Sequence, residues 1–241
     1  MPHHSDSENY RWKRGGDPSE TMDGLAAKVE LRKAIPVSSE GRLFVPYAGF
    51  ADIAKAMEWD TDRISGVDDD AAAVRYWNRE FPSAEIIEGR AERFAFGDHE
   101  YCAADIDAYG DCYRSLKHFL LNARKRFPLV VFLTDGLFQA RTQAHRYFCW
   151  ESGRMKKDSE EAARHGEEMD LIVRGWLEAD GYEVGKSGFI SGEGASRMLY
   201  MGYSILSGPQ PGEGTGAEVS EWWTQDLDMS LEREFGGSLF P

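Results

Sequence analysis

The sequence predicts an α/β fold, a three-layer sandwich in which helices cover a mostly parallel seven-stranded sheet that ends in a C-terminal antiparallel hairpin. Three observations carry that expectation. Short apolar runs of buried-strand type occur five times between residues 43 and 133. Segments with helical spacing separate them, at the pace that parallel βαβ units require. Two longer runs, 182–190 and 197–206, then flank Ser191-Gly192-Glu193-Gly194 and read as a closing hairpin.

In chain order, residues 22–35 have helical spacing, with Leu25, Val29, Leu31 and Ile35 for an apolar face and Pro36 as a breaker. Residues 43–47 form the first strand, followed by the small-residue turn Ala48-Gly49-Phe50-Ala51 and a helix over 52–59. The second strand, 64–67, runs into Asp68-Asp69-Asp70 and a helix over 71–81 that Pro82 ends. Residues 85–87 and 101–106 are the third and fourth strands. A helix is predicted over 111–127, with Tyr113, Leu116, Leu120 and Ala123 on one side and Arg124, Lys125 and Arg126 near its end. Residues 129–133 make the fifth strand. Helices are expected over 138–149 and 159–177, the second burying Ala162, Met169, Ile172, Val173 and Trp176.

At 241 residues, with 41% hydrophobic and 29% charged residues, one soluble globular domain is the natural expectation. It spans 21–206, after a flexible tail over 1–20 and before a Gly/Pro-rich loop and acidic tail over 207–241. The polar start lacks the apolar core and cleavage pattern of a secretory signal, and no apolar run approaches the roughly 20 residues of a membrane span. A cytoplasmic location follows as an expectation. Cys102, Cys112 and Cys149 form no close metal-ligand pair and leave an odd thiol, which suits a reducing compartment. His118 and His145 have no partners at metal-site spacing.

The net charge of −14 argues against a generally cationic coat for nucleic acid, but the distribution is uneven. Acids dominate residues 58–100, whereas Arg114, Lys117, Arg124, Lys125, Arg126, Arg141, Arg146, Arg154, Lys156 and Lys157 make the 114–157 stretch basic. That stretch is the candidate contact for DNA or RNA. Trp222-Trp223, in the acidic C-terminal segment, is a candidate docking element for a protein partner.

Four segments at these strand ends bear on chemistry. In LFVPYAGFADIAKAM, a small residue at Gly49 lets a ligand approach the backbone, and the following helix offers free amides to an anion. About twenty residues on, GVDDDAAAVRYW places Asp68 where an acid can bond two ribose hydroxyls, while Asp69 and Asp70 also suit a helix-capping cluster. IIEGRAERFAF follows the third strand and YCAADIDAYGD the fourth. The Gly-x-Gly-x-x-Gly turn of NAD-binding domains, the Gly-x-Ser-x-Gly elbow and the Walker phosphate loop are all absent from the sequence.

Taken in order, these segments resemble the motifs of class I S-adenosylmethionine-dependent methyltransferases, whose fold is Rossmann-like. Pro46-Tyr47-Ala48-Gly49 is similar to the first motif of amino-methyltransferases acting on DNA or RNA, with Val45 where that family carries an acid and Ala51 where it carries a second glycine. Asp107-Ala108-Tyr109-Gly110 resembles the Asp-Pro-Phe-Gly of the tRNA guanine-N2 dimethyltransferase group, without its proline. The resemblance implies a cofactor set of Pro46, Tyr47, Ala48, Gly49, Asp68, Asp69, Arg90, Ala91 and Asp105, with Arg90 in place of the usual acid or amide toward adenine and the Arg90-Ala91 backbone or Glu92 as the alternatives for that contact. Asp105 also suits a structural hydrogen bond. It further implies Asp107 and Tyr109 as catalytic residues, Asp107 holding an exocyclic amine in its pyramidal form and Tyr109 stacking on the base. Thr134-Asp135-Gly136 sits at the same sheet edge. Two other functions remain open: a binding or assembly protein that reuses the fold, and a methyltransferase for a protein or small molecule.

Overall fold

The computed structural model describes residues 18–108, 112–135, 159–191 and 198–212. Helix α1 (Pro18–Ala34) is followed by β1 (Arg42–Pro46), the short helix α2 (Asp52–Ala56), β2 (Ile64–Asp68), α3 (Ala71–Glu80) and β3 (Glu85–Glu88). Then come β4 (Glu100–Ile106), α4 (Tyr113–Asn122), β5 (Arg124–Asp135), α5 (Ser159–Ala179), β6 (Glu183–Ser191) and β7 (Leu199–Ser207). Single 3₁₀ turns at Thr61–Arg63 and Ala91–Arg93 precede β2 and follow β3.

One seven-stranded sheet results, in the order β3-β2-β1-β4-β5-β7-β6. The first five strands are parallel, and β7 runs antiparallel to both β5 and β6. This is the predicted Rossmann-like architecture. Alternation along the strands splits the core in two. Leu43, Val45, Ile64, Ala103, Val130 and Phe132 meet Leu31 and Ile35 of α1, Ala54 of α2 and Trp77 of α3 on one face. Phe44, Val67, Ala104, Val131, Met201 and Tyr203 meet Leu116 and Phe119 of α4 and Val173 and Leu177 of α5 on the other. Helices thus change faces between β1 and β4, which puts a topological switch point, and the crevice that goes with it, at the C-terminal ends of these two strands.

Two glycines let the layers close. A methyl on Gly66 would lie 2.1 Å from the Val45 carbonyl oxygen, so β1 and β2 approach only without a side chain there. A methyl on Gly202 would meet Ile35 at 2.9 Å, and its absence seats α1 on the sheet.

Several boundaries differ from the sequence reading. The helix predicted over 111–127 ends at Asn122, and Arg124–Arg126 open β5 instead. Lys125 explains the change: its buried ammonium donates to Leu120 O and Ala123 O, at 2.6 and 3.1 Å, and so caps the helix from the following strand. Its backbone exchanges hydrogen bonds with the Gln210 side chain, at 2.9 and 2.7 Å. The helix after β1 stops at Ala56 rather than 59, where Glu58 turns into left-handed conformation, φ 52°. On α5 the buried face is Val173, Trp176 and Leu177, at i, i+3 and i+4, and Ile172 is 44% exposed because it lies about 100° off that stripe. The helix predicted over 138–149 and Trp222-Trp223 lie outside the described residues, as does Ala162 as a side chain. Among the described residues, no helix is long and apolar enough to cross a membrane.

Candidate functional site

The turn after β1 is tightly bent. Tyr47, Gly49 and Ala51 have φ of 60°, 51° and 63°, three left-handed residues in five. For the two non-glycines this conformation costs about 1–2 kcal/mol each, so surrounding contacts must hold it. They come from three directions. Tyr47 N and Ala48 N donate to Val67 O of β2, at 2.8 and 3.4 Å. The fully buried Trp77 of α3 donates its indole N–H to Ala48 O and Gly49 O, at 3.2 and 3.1 Å. Asp68, at the end of β2, accepts Gly49 N on Oδ2 and Asp70 N on Oδ1, both at 2.8 Å.

Asp68 is 9% exposed. Burial pushes its carboxyl above the usual carboxylate range, against the backbone N–H groups of Asp70 and Gly49 that favour the charged form. Asp70 is the N-cap of α3, accepting Ala72 N at 2.8 Å, as a capping cluster predicts. Asp69 is exposed at this edge. The turn also has room: a methyl built on Gly49 would meet nothing nearer than Tyr47 O at 3.9 Å.

After β3, Arg90 is exposed and Ala91 buried, so the Arg90 side chain points away from the packed edge. Glu92 is the acid that reaches the β1 turn. The Tyr47 and Ser115 hydroxyls lie 2.8 Å apart and both reach Glu92 Oε1, at 3.2 and 3.3 Å, tying the β1 turn to α4.

At the end of β4, Asp105 and Asp107 face α1. Arg32 forks onto Asp105, its Nε donating to Oδ2 at 2.9 Å and its Nη2 to Oδ1, with both side chains almost fully buried. Although burial would lower it, the Asp105 carboxylate keeps the Arg32 guanidinium above its ordinary value. One helical turn earlier, Lys28 Nζ donates to Asp107 Oδ2 at 2.6 Å and lies 5.5 Å from the Tyr200 ring centroid. Burial alone would raise Asp107, but Lys28 and Arg32 together hold its carboxyl below the usual range. Thr134, fully buried on β5, adds to this effect, though among the described residues no hydrogen bond of regular geometry reaches its hydroxyl. Neighbouring Asp135 accepts the Tyr113 hydroxyl at 2.9 Å.

The structure therefore brings Tyr47, Ala48, Gly49 and Asp68 together and sets Asp105 and Asp107 one strand over, across the switch point. Pro46 ends β1 as its last residue. Tyr109 and Gly136 lie outside the described residues. Sequence reading missed Trp77, Ser115, Glu92 as a hydrogen-bond partner of Tyr47, and the pair Lys28 and Arg32. The last two were visible in one respect: they are cations at i and i+4 beside the apolar Leu31 and Ile35, where a solvated face would not put them.

No protein-family model matches the sequence, and no curated protein is detectably similar to it. Solved structures are similar in fold. The chain from the complex of the Haloferax volcanii Trm112 methyltransferase activator and the putative methyltransferase is 13% identical, with a TM-score of 0.53 over 83% of this chain and 98% of that one. The Methanococcus jannaschii fibrillarin pre-rRNA processing protein is 13% identical, with a TM-score of 0.50 over 77% and 75%. The plantazolicin methyltransferase BpumL, solved in complex with S-adenosylhomocysteine (SAH), is 12% identical, with a TM-score of 0.50 over 83% and 88%. What these share with the present chain is its Rossmann-like fold.

Proposed function

We propose that this protein binds S-adenosylmethionine at the β1/β4 switch point and transfers its methyl group to an exocyclic amine of a nucleic-acid base. The observation that carries the reading is the left-handed turn 47–51, locked to Asp68 and open to ligand at Gly49. The donor set fits the cofactor. A carboxylate has about four acceptor positions, and the two backbone N–H groups on Asp68 leave capacity for the two ribose hydroxyls. Glu92, with the exposed Arg90 and the Ala91 backbone, would take the adenine beyond β3. When bound, the cofactor supplies an electrophilic methyl group; the chain's part is to position the acceptor amine, through Asp107 and Tyr109, and to hold Asp107 ionised. Of the basic residues between 114 and 157, Lys125 is buried as the cap of α4 and Arg126 pairs with Glu40 and Glu100; the others would hold phosphates.

Incubation with methyl-labelled cofactor and, separately, tRNA, DNA and a nuclease-treated cell extract tests this reading. Label in nucleic acid that is lost with Asp68→Ala and falls steeply with salt is the expected result. Label only in the nuclease-treated extract makes the acceptor a protein or small molecule. One observation favours a second reading, a binding or assembly protein that reuses the fold: both central acids already have partners within the chain, Asp68 on Gly49 and Asp70, and Asp107 on Lys28. That reading predicts a folded protein that binds neither the cofactor nor SAH in calorimetric titration.

A further inference from the structure

A second cleft lies at the N-terminal ends of β1 and β2, at the end of the sheet opposite the proposed cofactor crevice. Its volume is about 260 Å³, and it is bounded by the foot of α1, the segment leading into β1, the turn that follows α2 and Arg63. Leu43 of β1 lines it, and from there the strand runs roughly 13 Å, at about 3.3 Å per residue, before the chain reaches the Tyr47 turn.

Two sets of contacts build the cleft. Arg63, just before β2, donates from Nε to Gly41 O at 2.7 Å and from Nη2 to Ser38 O at 2.8 Å and Cys102 Sγ at 3.2 Å, and so fixes the segment that leads into β1. Left-handed Glu58 closes α2, Trp59 N donates back to Ala54 O at 3.0 Å, and the half-buried indole is thereby held against the core. Pro36, Val37, Leu43 and Met57 supply the other apolar walls. The result is an apolar slot with an aromatic side, shaped before any ligand enters.

Charge marks its rim. Lys33 is exposed and has no ion-pair or hydrogen-bond partner among the described residues. Arg63 spends Nε and Nη2 on the segment it fixes, which leaves both protons of Nη1 without an acceptor among the described residues. Arg32 also lines the cleft, but Asp105 balances its charge. Asp60 offsets one of the two remaining cations, with its Oδ1 already accepting Asp62 N at 3.2 Å. One positive charge is left over at the mouth of an apolar slot. That suits a ring carrying a single negative charge, whereas a phosphate dianion would enter with a charge left unpaired. An apolar cavity of about 150 Å³ holds benzene, so 260 Å³ has room for one or two rings.

We propose that this cleft binds a small aromatic carboxylate, with the ring against Trp59 and Met57 and the carboxylate between Lys33 and Arg63. The site stands apart from the cofactor reading: it uses none of the residues at the C-terminal ends of β1, β2 and β4.

Calorimetric titration of the full chain with indole-3-acetate tests it, with indole as the ring without the charge and acetate as the charge without the ring. Indole-3-acetate is expected to bind at least tenfold more tightly than either. In Lys33→Met its affinity falls toward that of indole while indole itself is unaffected, and Lys33→Arg restores the difference. Lys33 is exposed, so both variants are expected to fold. Nuclear Overhauser contacts from the ring of the bound probe to the Met57 methyl group, assigned with Met57→Leu, are expected to place it. Equal affinity for indole-3-acetate and indole overturns the proposal, as does a preference that survives in Lys33→Met. Ring contacts to the Tyr47 turn instead of Met57 also overturn it, and so does a wild type that binds no indole-3-acetate.

Discussion

Asp68 accepts the backbone N–H of Gly49 at 2.8 Å, so the acid that ends β2 closes the turn that ends β1. The same carboxylate accepts Asp70 N and thereby starts α3, whose Trp77 returns to hold Ala48 and Gly49. The turn and the acid are thus one mechanical unit, and Asp68 shapes the site as well as facing it. Replacing Asp68 with Ala removes the acceptor of two shielded N–H groups and is expected to cost about 1–3 kcal/mol. Urea denaturation gives the loss, and hydrogen exchange at the Gly49 amide should quicken. Unchanged stability and exchange would show that Trp77 and β2 suffice to hold the turn.

Much of this architecture was legible. Short apolar runs ended by turn residues gave β1 to β4, because buried parallel strands have little freedom in composition. The turn 48–51 and Asp68 stood out because a tight strand-to-helix turn needs small residues and the next strand end offers an acid. What escaped has a common cause, contacts between segments far apart in sequence. Arg32 stands beside an apolar stripe with no partner legible in the sequence until Asp105, 73 positions away, is seen to receive it. Lys125 reads as the end of a basic helix until its ammonium is seen to cap that helix from the next strand. Arg90 and Glu92 could not be ranked from spacing alone, since a single 3₁₀ turn decides which of them approaches Tyr47.

The Arg32–Asp105 pair should behave as a buried charge pair. Arg32→Met leaves an ionised carboxylate enclosed without its partner, at an expected cost of about 3–5 kcal/mol. The double variant Arg32→Met, Asp105→Leu removes both charges and should recover most of that loss. Chemical denaturation of the two single variants and the double variant gives the coupling. If the double variant is as unstable as the single ones, what matters at this position is the shape of the guanidinium fork rather than its charge.

Lys28 and Asp107 should leave a mark on acid stability. Asp107 is held below the usual carboxylate range in the folded protein, so it contributes stability above its unfolded value, about 3.9, and loses that contribution as pH falls through the lowered folded value. In Lys28→Met the larger attraction is gone and Arg32 and Thr134 remain to oppose burial, so the folded value rises and ionised Asp107 contributes less stability at neutral pH. The stability gap between wild type and Lys28→Met is therefore widest near pH 7 and narrows on acidification. Urea midpoints from pH 7 down to pH 4 measure it. A gap that stays constant over this range would mean that Lys28 acts through packing against Tyr200.

Backbone strain around α2 separates structural cost from functional need. Glu58 follows the last turn of α2 with φ 52°, and its side chain is exposed. Glycine there relieves a left-handed L-residue, worth about 1–2 kcal/mol, and gives back part of that through its more flexible unfolded state, about 0.5–1 kcal/mol. Glu58→Gly should therefore stabilise the protein modestly. Ala51 has φ 63° as well, but it is 2% exposed and its methyl group packs in the core. Ala51→Gly gains the same relief and also loses about 0.8 kcal/mol of buried methyl, so its stability should hardly change. Thermal melts of both variants test the contrast. A large gain in Ala51→Gly would show that the turn is held against its own preference at more cost than its packing returns, as expected of a backbone shaped for a ligand.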